Sequence, residues 1–414
     1  MKNSNVLIDH RCPQCGAPAL LTETERLFTC EFCRVKSYLA PGSGFRYLLP
    51  GRAPPGRDLY YYPYWRFKGM LFSCVRDGVR HKFIDVSHQA AVSRHFPLSL
   101  GFRSQALKLR FVTPEAEGRF LPVRLPLDEV MRTFEQNFSL PLPQPIYHQA
   151  HVGELVSLVY APFYAGNRLY DAVLNEPLGE EVPRDIDAIL TGAGPSDWHL
   201  RFLATLCPAC GWNLDGPADT LVLSCRNCDS AWKPGGDRLE RLDVGHLPPP
   251  AGSRESLLYL PFWRTRPAIT GLALDTFGDL VAAANLPVVP RPDRRERPFH
   301  FWSPAFKIRP QTYLPLATRM TLAQPQEEPA AGLPGGDLHP VTLPSADAAD
   351  SLKITLAAFV KSRKSVYPHL ASITVLPQSC RLVYVPFVRS HHDLIQPALK
   401  ISVPANQLAL ADNL

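Results

Sequence analysis

The sequence predicts an α+β, strand-rich fold made by tandem duplication, each half a small four-cysteine unit followed by a mixed α+β module. Three observations predict it: two cysteine clusters of equal spacing, ordered matches between the halves, and 43 prolines in 414 residues. Proline fixes φ and lacks the backbone donor, so this content favours short strands and loops over long helices.

Cys12, Cys15, Cys30 and Cys33 read C-x2-C-x14-C-x2-C, and Cys207, Cys210, Cys225 and Cys228 repeat that spacing 195 residues later. A Cys-x-x-Cys turn aims two thiolates at one ion, and two such turns complete a tetrahedral set. Pro13 and Pro208 preset φ after the first ligand, while Gly16 and Gly211 follow the second and permit positive φ. The later turns, Cys30–Arg34 and Cys225–Asp229, lack that glycine. Four thiolates saturate a zinc ion and leave no position for water or substrate. The sequence therefore predicts two structural Zn2+ ions per chain, with no catalysis at the metal. Between the pairs, Ala19–Thr22 and Arg26–Thr29 are expected to form a hairpin, with Leu221–Ser224 as the second copy.

The halves match in order along the chain. Tyr61-Tyr62-Pro63-Tyr64-Trp65-Arg66 corresponds to Tyr259-Leu260-Pro261-Phe262-Trp263-Arg264 at an offset of 198. Phe102-Arg103 is matched to Phe306-Lys307 at 204, and Pro122–Pro126 to Pro340–Pro344 at 218. Leu158–Phe163 matches Leu382–Phe387 at 224. An offset that only grows is what small insertions in the second half produce. Arg291–Arg297 and Gln324–Leu338, rich in Pro, Gly and charge, suit such surface insertions.

Within the modules, Tyr-x-Pro-Phe/Tyr occurs four times, each at the end of a short apolar run, which suits a buried strand with proline at an edge. Gly69–Val75 and Val79–Val86 flank Arg76-Asp77-Gly78, a hairpin signal. Helices are expected at Leu127–Phe138, Ala346–Ser362 and Asp275–Asn285. In the first of these Val130, Phe134 and Phe138 share a face.

The paired knuckles of the form Cys-Pro-x-Cys-Gly resemble the zinc-ribbon family, as found in uncharacterised bacterial zinc-binding proteins, over residues 6–40 and 201–234. The resemblance implies a small three-stranded sheet under each metal. It gives the expected organisation: residues 1–42 zinc ribbon 1, 43–194 α+β module 1, 195–236 zinc ribbon 2 and 237–414 α+β module 2. A rubredoxin-like iron site uses the same four thiolates with a longer gap between pairs. A thioredoxin-like dithiol uses one pair at a helix start. The spacing favours zinc over both.

Other candidates are weaker. Cys74 and Cys380 lie in or beside apolar runs and do not correspond between halves, so buried free thiols are expected. His391-His392-Asp393 are adjacent on an extended segment and point to opposite faces, which does not suit chelation. His81, His88 and His95 recur every seven residues, yet the segment reads as strand. No phosphate loop, nucleophile elbow or His-Glu-x-x-His appears, so no catalytic or cofactor-binding residue is predicted.

Charge is mild. Lys and Arg number 22 against 19 acidic residues on each side of residue 196, a net +3 per half. Residues 1–70 are more basic, with ten basic and five acidic side chains. A dedicated nucleic-acid binder concentrates more positive charge. No apolar run is long enough to span a membrane, and residues 1–11 lack the apolar core of a signal peptide. Paired cysteines without an export signal suit a reducing cytoplasm. The leading expectation is a non-enzymatic, zinc-binding scaffold or adaptor whose ribbons meet a protein partner and whose halves pack on each other. One alternative is a nucleic-acid-binding protein using the basic first ribbon and the Tyr-x-Pro aromatics near Arg66 and Lys68. Another is an enzyme with a site between the halves.

Overall fold

A computed structural model describes residues 7–42, 44–101, 107–179, 181–182, 184–250 and 257–409. It is strand-rich with a minority of helix, the α+β class expected from the proline content. Two compact units form. Unit 1 comprises Met1–Lys68, Asp85–Phe138 and Leu155–Ala204; unit 2 comprises Gly69–Ile84, Ser139–Glu154 and Thr205–Leu414. Kinship in sequence divides the chain into contiguous halves, whereas contact divides it inside three strands: Tyr60–Val75, Gly78–Gln89 and Ile146–Ala165.

The duplication is visible in the strand pairing of each unit. In unit 1, Phe45–Leu48 runs parallel to Ile146–Ala165 with Tyr47 opposite Val159. Tyr60–Val75 pairs with Ile146–Ala165 and runs parallel to Arg119–Phe120, with Tyr61 opposite Phe120. In unit 2, Val244–His246 runs parallel to Thr374–Ser390 with Gly245 opposite Val383. Leu257–Thr270 pairs antiparallel with Thr374–Ser390 and runs parallel to Asp337–Leu338, with Tyr259 opposite Leu338. The same four strands are joined in the same way.

The Tyr-x-Pro motifs lie at the centre of this unit. In unit 2 the two copies pair with each other, Tyr259 opposite Pro386 and Pro261 opposite Tyr384. A strand residue aims its N–H and C=O at the same neighbour. The carbonyl of Pro261 accepts from Ala305 N–H at 3.0 Å, just past the end of the strand Phe301–Pro304. The donor that proline lacks would therefore have faced that strand's end, where no ladder bond is lost.

Backbone bonds add one further match. Ala90 N–H donates to Pro63 O at 2.9 Å and Ala305 N–H to Pro261 O at 3.0 Å. Leu125 N–H then donates to Ala90 O at 2.9 Å, and Leu343 N–H to Ala305 O at 3.1 Å. Ala305 is thus the counterpart of Ala90, an offset of 215. Phe102-Arg103, matched to Phe306-Lys307 from sequence, lie outside the described residues. The chemistry at this junction is carried by the backbone, so side-chain similarity there is a poor guide.

The helices form where expected, with one further long helix and several short ones of four or five residues. Leu127–Ser139 buries Val130 and Phe134. Phe277–Ala284 starts at a capping box between Thr276 and Asp279 and stops at Asn285, in the left-handed conformation. The expected helix over 346–362 is divided into Ser345–Asp350 and Leu352–Phe359. Pro310–Ala323 is a helix that the proline argument hid: Pro310 occupies the first turn, where its missing N–H costs nothing, and Pro315 is tolerated inside. Burial of Tyr313, Leu314, Leu316 and Met320 outweighs the local penalty.

Each unit has a main core, and unit 2 has a second, smaller one that includes Val222, Ala231 and Trp263. Unit 1 packs Tyr47, Tyr62, Tyr64, Phe111, Val159 and Phe163. Unit 2 packs Phe262, Phe299, Phe301, Phe306 and Tyr313 with Met70, Phe72, Cys74, Ala150 and Val152 of the first half.

Candidate metal centres

The first cysteine cluster is built by two hairpins that turn through the knuckles themselves. Leu7–Arg11 pairs with Pro18–Thr22 around Cys12 and Cys15. Leu27–Thr29 pairs with Lys36–Ala40 around Cys30 and Cys33. The hairpin expected between Ala19–Thr22 and Arg26–Thr29 therefore does not form, because each Cys-x-x-Cys turn already joins two strands. The second copy forms one such hairpin, Leu223–Cys225 with Ser230–Gly235 around Cys225 and Cys228, and Arg238–Leu242 completes a three-stranded sheet; around Cys207 and Cys210 a single bridge forms, Leu206 opposite Asn213. In the first copy the third strand is Arg201–Ala204, the segment leading into the second cluster.

All four knuckles share one backbone form. Cys12 O accepts from Gly16 N–H at 2.9 Å, and Cys207 O from Gly211 N–H at 2.8 Å. Gly16 and Gly211 take φ of 72° and 73°. Arg34 and Asp229 stand in the same place and also take positive φ, 62° and 48°. The knuckles without glycine thus adopt the glycine conformation regardless.

In each cluster the four sulfurs lie within 4.8 Å of one another and could hold a metal ion. Cys12 and Cys33, and Cys15 and Cys30, stand 3.7 Å apart. Cys207 and Cys228 stand 3.7 Å apart, and Cys210 and Cys225 3.5 Å. Disulfide sulfurs would be about 2 Å apart, whereas thiolates held tetrahedrally at about 2.3 Å from one ion stand about 3.8 Å apart. The donor set fits a four-thiolate ion. Backbone N–H of Cys33 is the first influence holding the Cys30 thiol down to about 6, and the Asn227 side chain is the first for Cys210, also about 6, while burial pushes Cys225 up to about 12. Donors of this kind favour the thiolate form that a metal needs.

Among the described residues, no other group of three or more His, Cys, Asp or Glu side chains converges in this way. His391 lies in a turn at φ 42°. His81 and His88 lie on the strand Gly78–Gln89, and His95 instead meets Asp185 at 3.1 Å. Cys74 is buried as expected, and burial pushes its thiol up to about 12. Cys380 is exposed, against expectation, since its end of Thr374–Ser390 is largely open to solvent.

The motif aromatics are core residues. Tyr61, Tyr62 and Tyr64 are buried, and Arg66 is 1% exposed. They offer no face for stacking a base. Arg66 is held by Glu23 and by both oxygens of Asp85 at 2.9 Å, which ties the ribbon turn at Glu23 to the long strand. The ribbons instead expose apolar side chains at Phe32, Leu206 and Trp212. Sequence reasoning passed over these because each is a single apolar residue beside a cysteine.

No helix among the described residues is long and apolar enough to cross a membrane. In comparisons with protein-family models, curated proteins and solved structures, the chain matches none.

Proposed function

We propose that the chain is a non-enzymatic scaffold whose two cysteine clusters each hold a structural zinc ion and present a ribbon surface to a protein partner. The observation that carries this reading is the closed donor set. Four sulfurs surround each centre, and a four-thiolate zinc keeps no open coordination position for chemistry. The pairing of hairpins through the knuckles supports a load-carrying role for the ion, since each hairpin is too short to be stable alone.

Phe32 at 67% exposure and Trp212 at 60% support a protein partner. Large apolar side chains held on a rigid turn resemble the aromatic anchors of protein interfaces. Metal analysis of the purified protein tests the first part: two zinc ions per chain are expected, falling to one in Cys12→Ser or Cys207→Ser. A photo-crosslinking residue at position 32 or 212 tests the second. Crosslinks to protein from these positions, absent from a crosslinker at Lys233, support the adaptor. Crosslinks to nucleic acid alone, or none, overturn it.

A further inference from the structure

The two clusters share spacing, backbone form and burial, yet their sulfurs have different neighbours. Ser230 Oγ lies 3.0 Å from Cys228 Sγ and 3.9 Å from Cys207 Sγ. The indole of Trp232 donates to that same oxygen at 2.8 Å. The oxygen therefore accepts from the indole, and its single proton is left for sulfur. Ser230 is 2% exposed and Trp232 6%, so water does not compete for this chain of bonds. A second polar side chain, that of Asn227, stands beside Cys210 and lowers its thiol.

The equal spacing of the clusters identifies the counterparts. At an offset of 195, Asn227 corresponds to Phe32 and Ser230 to Val35. Neither phenylalanine nor valine carries a donor, and both are exposed, at 67% and 38%. Four thiolates on a divalent ion carry a net double negative charge. Donors to sulfur spread that charge and fix the orientation of the ligand. Loss of such outer partners typically costs about 10- to 100-fold in metal affinity.

We propose that the clusters are unequal metal sites: the Cys207 cluster, braced by Ser230, Trp232 and Asn227, retains its ion after the Cys12 cluster has released its own. Ser230 and Asn227 are positioning residues here, acting on the metal through the ligand sulfurs. The inference rests on the metal reading above and adds an order of release to it. The cluster at the start of the second half keeps its ion, and the cluster at the start of the first holds one that a chelator or a competing thiol reaches first.

A chelator titration of the full-length, zinc-loaded protein tests this, with released zinc read by a colorimetric indicator. Two phases of one ion each are expected, the second needing about 10- to 100-fold more EDTA. Cys207→Ser should abolish the tight phase and Cys12→Ser the weak one. Ser230→Ala should move the tight phase toward the weak one, whereas Ser230→Thr, which keeps the hydroxyl, should restore it. Asn227→Ala changes an exposed residue, so it reports on the tight phase without disturbing the fold. Cobalt substitution in the Cys12→Ser background adds a spectroscopic readout, a sulfur-to-metal band that shifts in Ser230→Ala and returns in Ser230→Thr. A single phase of two ions overturns the ranking alone, as does a tight phase that survives Cys207→Ser or is unmoved by both Ser230→Ala and Asn227→Ala. Protein that binds neither zinc nor cobalt overturns the metal reading as well.

Discussion

The indole of Trp263 donates its N–H to the carbonyl of Leu343 at 2.9 Å. Trp65 makes the same bond to Leu125 at the same distance. Trp65 and Trp263 belong to one sequence match, Leu125 and Leu343 to another with a different offset. Two independent alignments thus meet in one hydrogen bond, made once in each unit.

Trp263→Phe keeps most of the ring and leaves the Leu343 carbonyl without the indole donor. Trp263 is 3% exposed, so a loss of about 1–3 kcal/mol in unfolding free energy is expected. Trp65 is less buried, and Trp65→Phe should cost less. Chemical denaturation of both variants decides it; equal and negligible losses would remove the bond from the account.

Arg66 and Arg264 occupy matched positions with unequal partners. Arg66 is buried against Glu23 and Asp85, while Arg264 meets Glu328, whose side chain is 78% exposed. Arg66→Met leaves two carboxylates without their cation and should cost about 3–5 kcal/mol. Arg264→Met should cost about 1 kcal/mol or less. Comparable losses would contradict the burial argument.

Gly16 and Gly211 have open space where a Cβ would stand. Gly16→Ala should therefore cost only the left-handed backbone penalty, about 1–2 kcal/mol. Arg34→Gly, at φ 62°, should relieve a similar penalty and leave stability unchanged or higher by up to about 1 kcal/mol. Thermal melting of the metal-loaded variants reads both signs, and a stabilising Gly16→Ala would refute the conformational reading.

Burial holds His148, His151, His300 and His339 each down to about 4, and all four belong to unit 2. In the unfolded chain these side chains titrate near 6.5, so below that pH the unfolded state binds more protons. Their contribution is intact above about pH 6.5 and is lost as pH falls toward 4, on the order of 1 kcal/mol or less per group per pH unit. Cluster thiolates also take up protons in acid, so the informative quantity is a difference between variants. His339→Gln should flatten the decline of melting temperature between pH 6.5 and 4.5; a slope equal to that of the unmodified protein would count against it.

The cysteine spacing and the ordered matches made the duplication legible because each rests on residue types that a specific geometry demands. A knuckle needs its cysteines, and a buried indole needs its carbonyl. The Ala90/Ala305 junction was illegible because only backbone groups act there. The helix Pro310–Ala323 was hidden by its own prolines, whose penalty is local while its benefit lies in a core assembled from distant segments. Asn227 and Ser230 could be aligned with Phe32 and Val35 from sequence, but only the 3.0 Å approach of Ser230 to Cys228 gives that difference a meaning. The segments 69–84 and 139–154 could not be assigned to unit 2, since their strands read as continuous.

That last feature bears on the order in which the chain is made. Met70, Phe72, Ala150 and Val152 share a core with residues from Leu247 to Val403. A ribosome delivers them while most of their packing partners are still untranslated, so their apolar faces wait in water or on a chaperone. For the same reason the ancestral repeat can no longer be recovered by splitting the gene at the midpoint. The second piece would emerge lacking part of its own interior.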